Sequence, residues 1–451
     1  MKLKYLHSQD GFLLPAIITI VLGLSVLGMA LATVMIADVG FTTHEQRSQS
    51  AFNIAEAGIN YYLWHLAHNA TDYTDGTTQT GSAPYGPYVH TYTDTSGKVL
   101  GTFTLYITPP SNGSTVTTVK SIGQVSGLKG TRTILAQLGI PSFANYVLLT
   151  NTEVWFGPTE SSNGPVQSNV GVHFDGANNG PVESSSATYT PTAAFGGDGA
   201  VHNGVWGNGG PKSQWQYPVP AVDFNSVSAN LQTLSTQAQS GGVYLGASNK
   251  LGYYLNVKSN GSIDVYTVKN ENSSGITTSF LRNQAAPANG IFYVSDNVWV
   301  GGTGYPGRIT IASGVLPSSA GTNTSIKING NLTYAAKDGS ASVGLIAQQD
   351  IDVPQYAPSN LEIDAALLAQ NGHVWFPDVN GATKNTLTFY GSIATNNYWT
   401  WSWVNGNGSL VSGYNTDSNT FDTHLTFAPP PQYPTTGSYS ILNWREQLYN
   451  P

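Results

Sequence analysis

From Phe12 to Ala37 the chain runs for 26 residues without a charge. As a helix that run is about 39 Å long, more than the ~30 Å hydrocarbon core of a bilayer. Lys2 and Lys4 precede it and Asp38 follows. The positive-inside rule then keeps the N-terminus in the cytoplasm and sends the rest outside. Three readings compete. Ala30-Leu31-Ala32 offers a signal-peptidase site, but a signal peptide has an apolar region of about 7–15 residues, and this one continues through Ala37. A plain uncleaved anchor accounts for the length. Neither accounts for residues 41–68, which keep helical character with no proline and no turn cluster. There Phe52, Ala55, Ile59, Tyr62, Leu63 and Leu66 recur at steps of three and four, one face of an amphipathic helix. The spacing predicts a single helix over residues 12–68, a rod of roughly 85 Å.

The third reading comes from the residues themselves. "DGFLLPAIITIVLGLSVLGMALA" followed by "QSAFNIAEAGINYYLWHL" resembles the N-terminus of type IV pilin-like proteins, specifically minor pilins of the PilX type. The "AEAG" at Ala55 to Gly58 is similar to a signature of that type. The resemblance implies a short leader, residues 1–11, cut by a prepilin peptidase after Gly11, with Phe12 as the methylated first residue of the mature chain. It implies partnership with other pilins and the pilus assembly machinery, and membrane insertion through residues 12–37. One position departs from the pattern. Ala16 stands where major pilins carry the Glu that neutralises a neighbour's N-terminal amine. A buried charge without its partner is costly, so a subunit lacking that Glu suits a place where the pairing is not demanded, such as the filament tip. Pro15 falls in the first helical turn after cleavage, where its missing N–H has no intrahelical acceptor.

Beyond the helix the texture is β. "GTFTLYITPP" alternates Phe103, Leu105 and Ile107 with polar residues, and residues 117–139 supply further strands. A small antiparallel, pilin-like sheet over residues 70–140, lying on the amphipathic helix, buries both apolar faces. From residue 141 short strands alternate with Gly/Asn turns, and Asn-Gly-Pro-Val recurs at Asn163 and Asn179, sixteen residues apart. Each rung of a β-solenoid buries its inward side chains on its neighbours, which fits; a β-sandwich is the alternative. Runs such as "VGLIA" and "AALLA" favour strands buried on both faces. Residues 212–290 break the pattern. A helix begins near Asp223, carries Phe224, Val227, Leu231 and Leu234 on one face and stops at Gly241. A hairpin then turns at Asn260-Gly261. The expected class is therefore mainly β with a long N-terminal α-helix: a membrane/pilin helix over 12–68, the small sheet over 70–140, and a β-solenoid-like domain over 141–211 and 291–451. Residues 212–290 form an α+β insertion between early and late rungs, and the last residues a C-terminal cap. The late region also resembles a poorly characterised domain of bacterial pilus-associated envelope proteins, which brings no activity with it.

Little catalytic chemistry is legible. Charged residues make up 9% of the chain, against roughly 25% in typical soluble proteins, and the net charge is −8. No Lys/Arg cluster exceeds two residues, so the basic stripe of a nucleic-acid binder is missing. Cysteine is absent, which excludes disulfide and thiolate chemistry. His65 and His68 have no further metal ligands near them in sequence, and no cofactor is expected. Asp350 with Asp352, and Glu362 with Asp364, are spaced like the carboxylate pairs of glycosidases, yet the same spacing makes solvated ladders in solenoids. Trp399, Trp401 and Trp403 alternate as one face of a strand. If exposed, that row is a platform for a surface glycan or a partner-cell ligand; otherwise it packs under a loop. The sequence thus predicts a non-enzymatic structural or adhesive pilus-associated protein, anchored in the cytoplasmic membrane by a single pass with its C-terminal part outside. The rival is a membrane-anchored β-helix protein that binds or cleaves polysaccharide.

Overall fold

The computed structural model describes residues 13–78, 81–110, 114–140, 142–426, 428–435 and 439–447. The chain divides into two compact units. One comprises residues 1–107, 119–136 and 444–451; the other comprises residues 108–118 and 137–443.

The first unit is built on α1, Leu13–His68. No proline follows Pro15 within it, and its glycines stand singly, so the apolar run and the amphipathic run form one element, as the spacing required. Its second half buries Ala51, Ile54, Ala55, Ile59, Tyr62 and Leu66, a stripe at steps of three and four. The stripe meets a five-stranded sheet in which β1 (Tyr85–Thr93), β2 (Val99–Thr108), β3 (Thr117–Val125) and β4 (Thr131–Gly139) follow in order, and β1 runs antiparallel to β2. The fifth strand is Ser440–Gln447, beside β4. A C-terminal cap on the solenoid was expected there. Instead Ile441, Trp444 and their neighbours extend the small sheet, where Trp444 meets Phe52 of α1 at 6.1 Å between ring centroids and Glu446 pairs with Arg132. Contact between helix and sheet is close at Gly123. A Cβ built there would lie 2.1 Å from the Ala51 carbonyl oxygen and 2.4 Å from the Ala55 nitrogen, so only glycine lets the two backbones approach this far.

The second unit is a coil of parallel strands with three faces. On the first face Ile291–Val294, Arg308–Ser313, Ser342–Ala347, Asn360–Ala369 and Thr383–Thr395 stack in register. Two columns of side chains result. Ile311, Leu345, Leu367 and Ile393 point into the coil. Ala312, Ile346, Leu368 and Ala394 point out and are equally buried, under Leu231, Leu234 and Ala238 of α2 (Ser226–Gly241) and under Leu425 and Tyr433. That double burial is why "VGLIA" and "AALLA" carry no alternation. The helix starts a few residues later than expected, with Asp223 accepting from the Asn225 amide at 2.8 Å.

Stacking order does not follow chain order. Ile393 at the late end pairs with Leu148, Leu148 with Val166, and Val166 with Val182. The early rungs therefore continue the late ones directly. Residues 212–290 do not lie between them, which corrects the expected insertion: α2 covers the outer side of the first face, and Val243–Leu245 pairs with Ile291–Val294 at the opposite end of the stack. The sixteen-residue Asn-Gly-Pro-Val repeat is one rung. Val166 donates to the Pro181 carbonyl, and the Asn178 side chain caps the carbonyls of Gly164 and Gly180. A Cβ on Gly180 would meet the Gly164 oxygen at 2.4 Å, so the repeat needs glycine where successive rungs touch. The predicted hairpin is present as β5 (Gly252–Val257) and β6 (Ile263–Asn272), joined through Gly261 at φ +81°. A third strand, β7 (Gly275–Gln284), follows antiparallel to β6.

Candidate functional site

The strongest candidate is the first half of α1. From Leu14 to Phe41 sixteen large apolar side chains are exposed, most by 50–72%. At roughly 2 kcal/mol for fully burying each such side chain, and with these about three-fifths exposed, the surface represents on the order of 20 kcal/mol of unrealised burial. Lipid or other apolar helices would satisfy that surface. The element is long and apolar enough to cross a membrane. Gly11 and Phe12, the expected cleavage and methylation positions, lie outside the described residues. Ala16 falls in the first turns of the helix, and that first turn contains no acidic residue.

The tryptophan row does not form an exposed face. Trp399 is 3% exposed and Trp401 fully buried, both in the core of the coil. The strand breaks at Trp401, between Trp399–Thr400 and Ser402–Val404, so the three side chains do not share one strand face. Trp401 packs edge-on to Trp399 at 5.9 Å and donates Nε1–H to the Asn419 Oδ1 at 3.0 Å. Trp403 alone is half-buried, with Nε1–H bonded to the Phe376 carbonyl at 2.7 Å.

The carboxylates of both pairs are occupied by partners, with Glu362 exposed and Asp350 and Asp352 half-buried. Asp350 Oδ1 accepts from the His373 amide at 2.7 Å and lies 3.0 Å from its ring. Asp352 accepts from Trp375 Nε1. Asp364 is buried, accepts from the Tyr334 amide at 3.1 Å and pairs with Lys337 at 2.8 Å; Lys337 also reaches Glu362 at 3.4 Å. These bonds tie adjacent rungs and leave no open pair of the kind glycoside cleavage uses. His65 lies 3.1 Å from Asp72, and His68 bonds the Trp64 carbonyl. Among the described residues no three His, Cys, Asp or Glu side chains gather as a metal site.

One acidic pair escaped the sequence reading. Glu160, just before the strand Ser161–Asn163, and Asp417, in the strand Leu410–Phe421, belong to neighbouring rungs, where the inward column turns polar through Asn419, Ser162 and Asn178. Burial, and then the charge of Asp417, push Glu160 up; burial pushes Asp417 up as well. Since 257 residues separate the two, no spacing rule marks them.

Asp352 supplies a pH prediction. Burial, then the charge of Asp350, push it up to about 6, against ~3.9 in an unfolded chain. The folded form holds the proton more tightly. Its contribution to stability is complete below about pH 4 and is lost as pH rises through about 6, a difference of roughly 2–3 kcal/mol. Asp352→Asn is expected to remove that loss and to raise stability at pH 7 by about 2 kcal/mol. Denaturant unfolding of both proteins at pH 4 and pH 7 checks it; an equal gap between the two at both pH values would contradict it.

No family model matches the chain, and no curated protein matches it. Among solved structures, the crystal structure of the competence-associated pilin ComZ from Thermus thermophilus is similar in part. It is 14% identical, covering 90% of this chain and 98% of that one, at a TM-score of 0.31. The functional reading rests on this chain's own helix, sheet and coil.

Proposed function

We propose that this protein is a minor-pilin-like structural component of a type IV pilus or related surface filament, held in the cytoplasmic membrane through residues 12–37 before assembly and placed at or near the filament tip. The observation that carries this reading is the two-part helix α1. Its first half exposes a surface that is apolar apart from Thr19, Ser25, Thr33 and Asp38, and its second half is fixed to a small sheet. Such a helix can leave lipid and pack among like helices without altering the unit attached to it, because both settings satisfy the same apolar surface. Ala16 favours a terminal place, where no neighbouring amine asks for a carboxylate. The partners are then other pilins, the assembly machinery and a prepilin peptidase acting between Gly11 and Phe12.

The mature protein is expected to begin at Phe12 with a methylated amine. Mass spectrometry of the N-terminal peptide from native envelopes tests it. A chain starting at Thr33 would show ordinary signal cleavage, and one starting at Met1 a permanent anchor; either result sinks the filament reading. The coil of parallel rungs favours a second reading, a membrane-anchored protein that presents a polysaccharide-binding solenoid. A Met1 start with glycan binding by the full chain is its expected signature.

A further inference from the structure

The three-stranded extension at one end of the coil has an open edge. β5 is held from both sides, by β6 and by Val298–Tyr305. β6 lies between β5 and β7. The register of β7 is with β6 alone, so its outer row of N–H and C=O groups faces solvent, a template for another strand. Native edges are blunted by lysine, proline, bulges or short length. Between Gly275 and Phe280, "GITTSF", there is no charge and no proline. A register shift then pushes out Leu281, because Tyr266 pairs with Phe280 while Val265 pairs with Arg282. A second shift lies behind the segment, where Val268 pairs with Thr278 and Asn270 with Thr277, so the extra residue, Lys269, is on β6 and the six residues Gly275–Phe280 of β7 stay continuous as the usable ladder.

One face of the extension carries aromatic side chains. Tyr254 pairs with Tyr266, and Tyr266 with Phe280, a cross-strand aromatic row with ring centroids 5.6 and 5.4 Å apart. The row ends at the open edge with Phe280 60% exposed and Leu281 50% exposed.

We infer that Gly275–Phe280 pairs antiparallel with the same segment of a second copy of this chain. The sequence is complementary to itself about Thr278. A two-fold axis there sets Ile276 against the second copy's Phe280, Thr277 against Ser279, Thr278 against Thr278, and Phe280 against Ile276. Aromatic with β-branched and Thr with Thr or Ser are the favourable cross-strand pairs. With no charge in the segment, two copies meet without repulsion, while a strongly acidic or basic peptide finds no complement. The contact is isologous and closes at two chains. It stands on the edge strand and does not depend on the filament reading.

The absence of cysteine allows a clean test on the full chain in detergent micelles. A thiol from Thr278→Cys would sit on the axis opposite its own copy. Directly opposed residues of an antiparallel pair have Cα atoms about 4.5–5.5 Å apart, within disulfide reach. A thiol from Ser274→Cys would lie about 27 Å from its copy, eight residues of strand away. Mild oxidation is expected to convert most T278C to a covalent dimer and to leave S274C monomeric. Adding Ile276→Lys and Phe280→Lys to T278C is expected to reduce that dimer at least tenfold. Equal cross-linking of both single variants, none from T278C at any concentration, or a dimer unaffected by the two lysines would overturn the inference. So would T278C linking in native envelopes to a different protein in place of itself.

Discussion

Trp401→Ala is expected to lower the stability of the coil by about 3–5 kcal/mol, the usual cost of truncating a large buried aromatic. Trp401 is fully buried among Phe389, Trp399 and the other inward side chains. Truncation also leaves the Asn419 Oδ1 without the indole N–H, and an unsatisfied buried acceptor costs further, roughly 1–3 kcal/mol. Domains are stable by only about 5–15 kcal/mol, so a large part of the margin goes. Trp403→Ala is the control. That side chain is half-buried, and its loss is expected to cost under about 2 kcal/mol. Thermal unfolding and limited proteolysis of residues 142–426 within the full chain separate the two. Similar small effects from both would mean that Trp401 is not inside the core. Replacing the three tryptophans together reports on folding first, so a loss of adhesion in such a variant says nothing about a binding face.

Gly123→Val is expected to undock α1 from the sheet, at a cost above about 3 kcal/mol, the upper end for overpacking. The atoms in the way of a side chain at Gly123 are backbone atoms of Ala51 and Ala55. No rotamer change relieves such a clash; helix and sheet must separate. Separation exposes Ile54, Ile59 and Tyr62 and the inner face of β2 and β3. The readout is proteolysis within residues 42–68, expected to become rapid while cleavage in the coil stays slow. Gly127→Val is the matched control, since nothing lies near a Cβ there. Its left-handed φ of +74° brings local strain of about 1–2 kcal/mol without touching the helix. Equal protection of α1 in wild type and Gly123→Val would refute the close approach.

The local patterns carried far. An uncharged run of 26 residues followed without a breaker by a 3.6-period stripe leaves one long helix as the outcome, and α1 is that helix. The Asn260-Gly261 turn and the sixteen-residue repeat are likewise short-range signals, each settled by a few backbone contacts. The site readings fared differently. Alternation at Trp399, Trp401 and Trp403 states which side chains share a face only while the strand continues, and this one breaks at its middle member. The acids at 350, 352, 362 and 364 sit where spacing puts them, but His373, Trp375 and Lys337, which occupy them, come from neighbouring rungs.

The sequence by itself determined the elements: an apolar helix, strands of alternating or continuous apolar character, and glycine turns. All depend on interactions within a few residues. What tertiary structure alone decided is which strand lies on which. Leu148 stacks on Ile393, and Ser440–Gln447 joins a sheet begun at Tyr85. Parallel rungs present nearly interchangeable columns of Val, Ile and Leu, so hydrophobic pattern does not distinguish one neighbour from another. The choice is made by close backbone approach at glycines, by the cover of α2 and by which polar atoms find partners, and these contacts join residues from sixteen to more than two hundred positions apart.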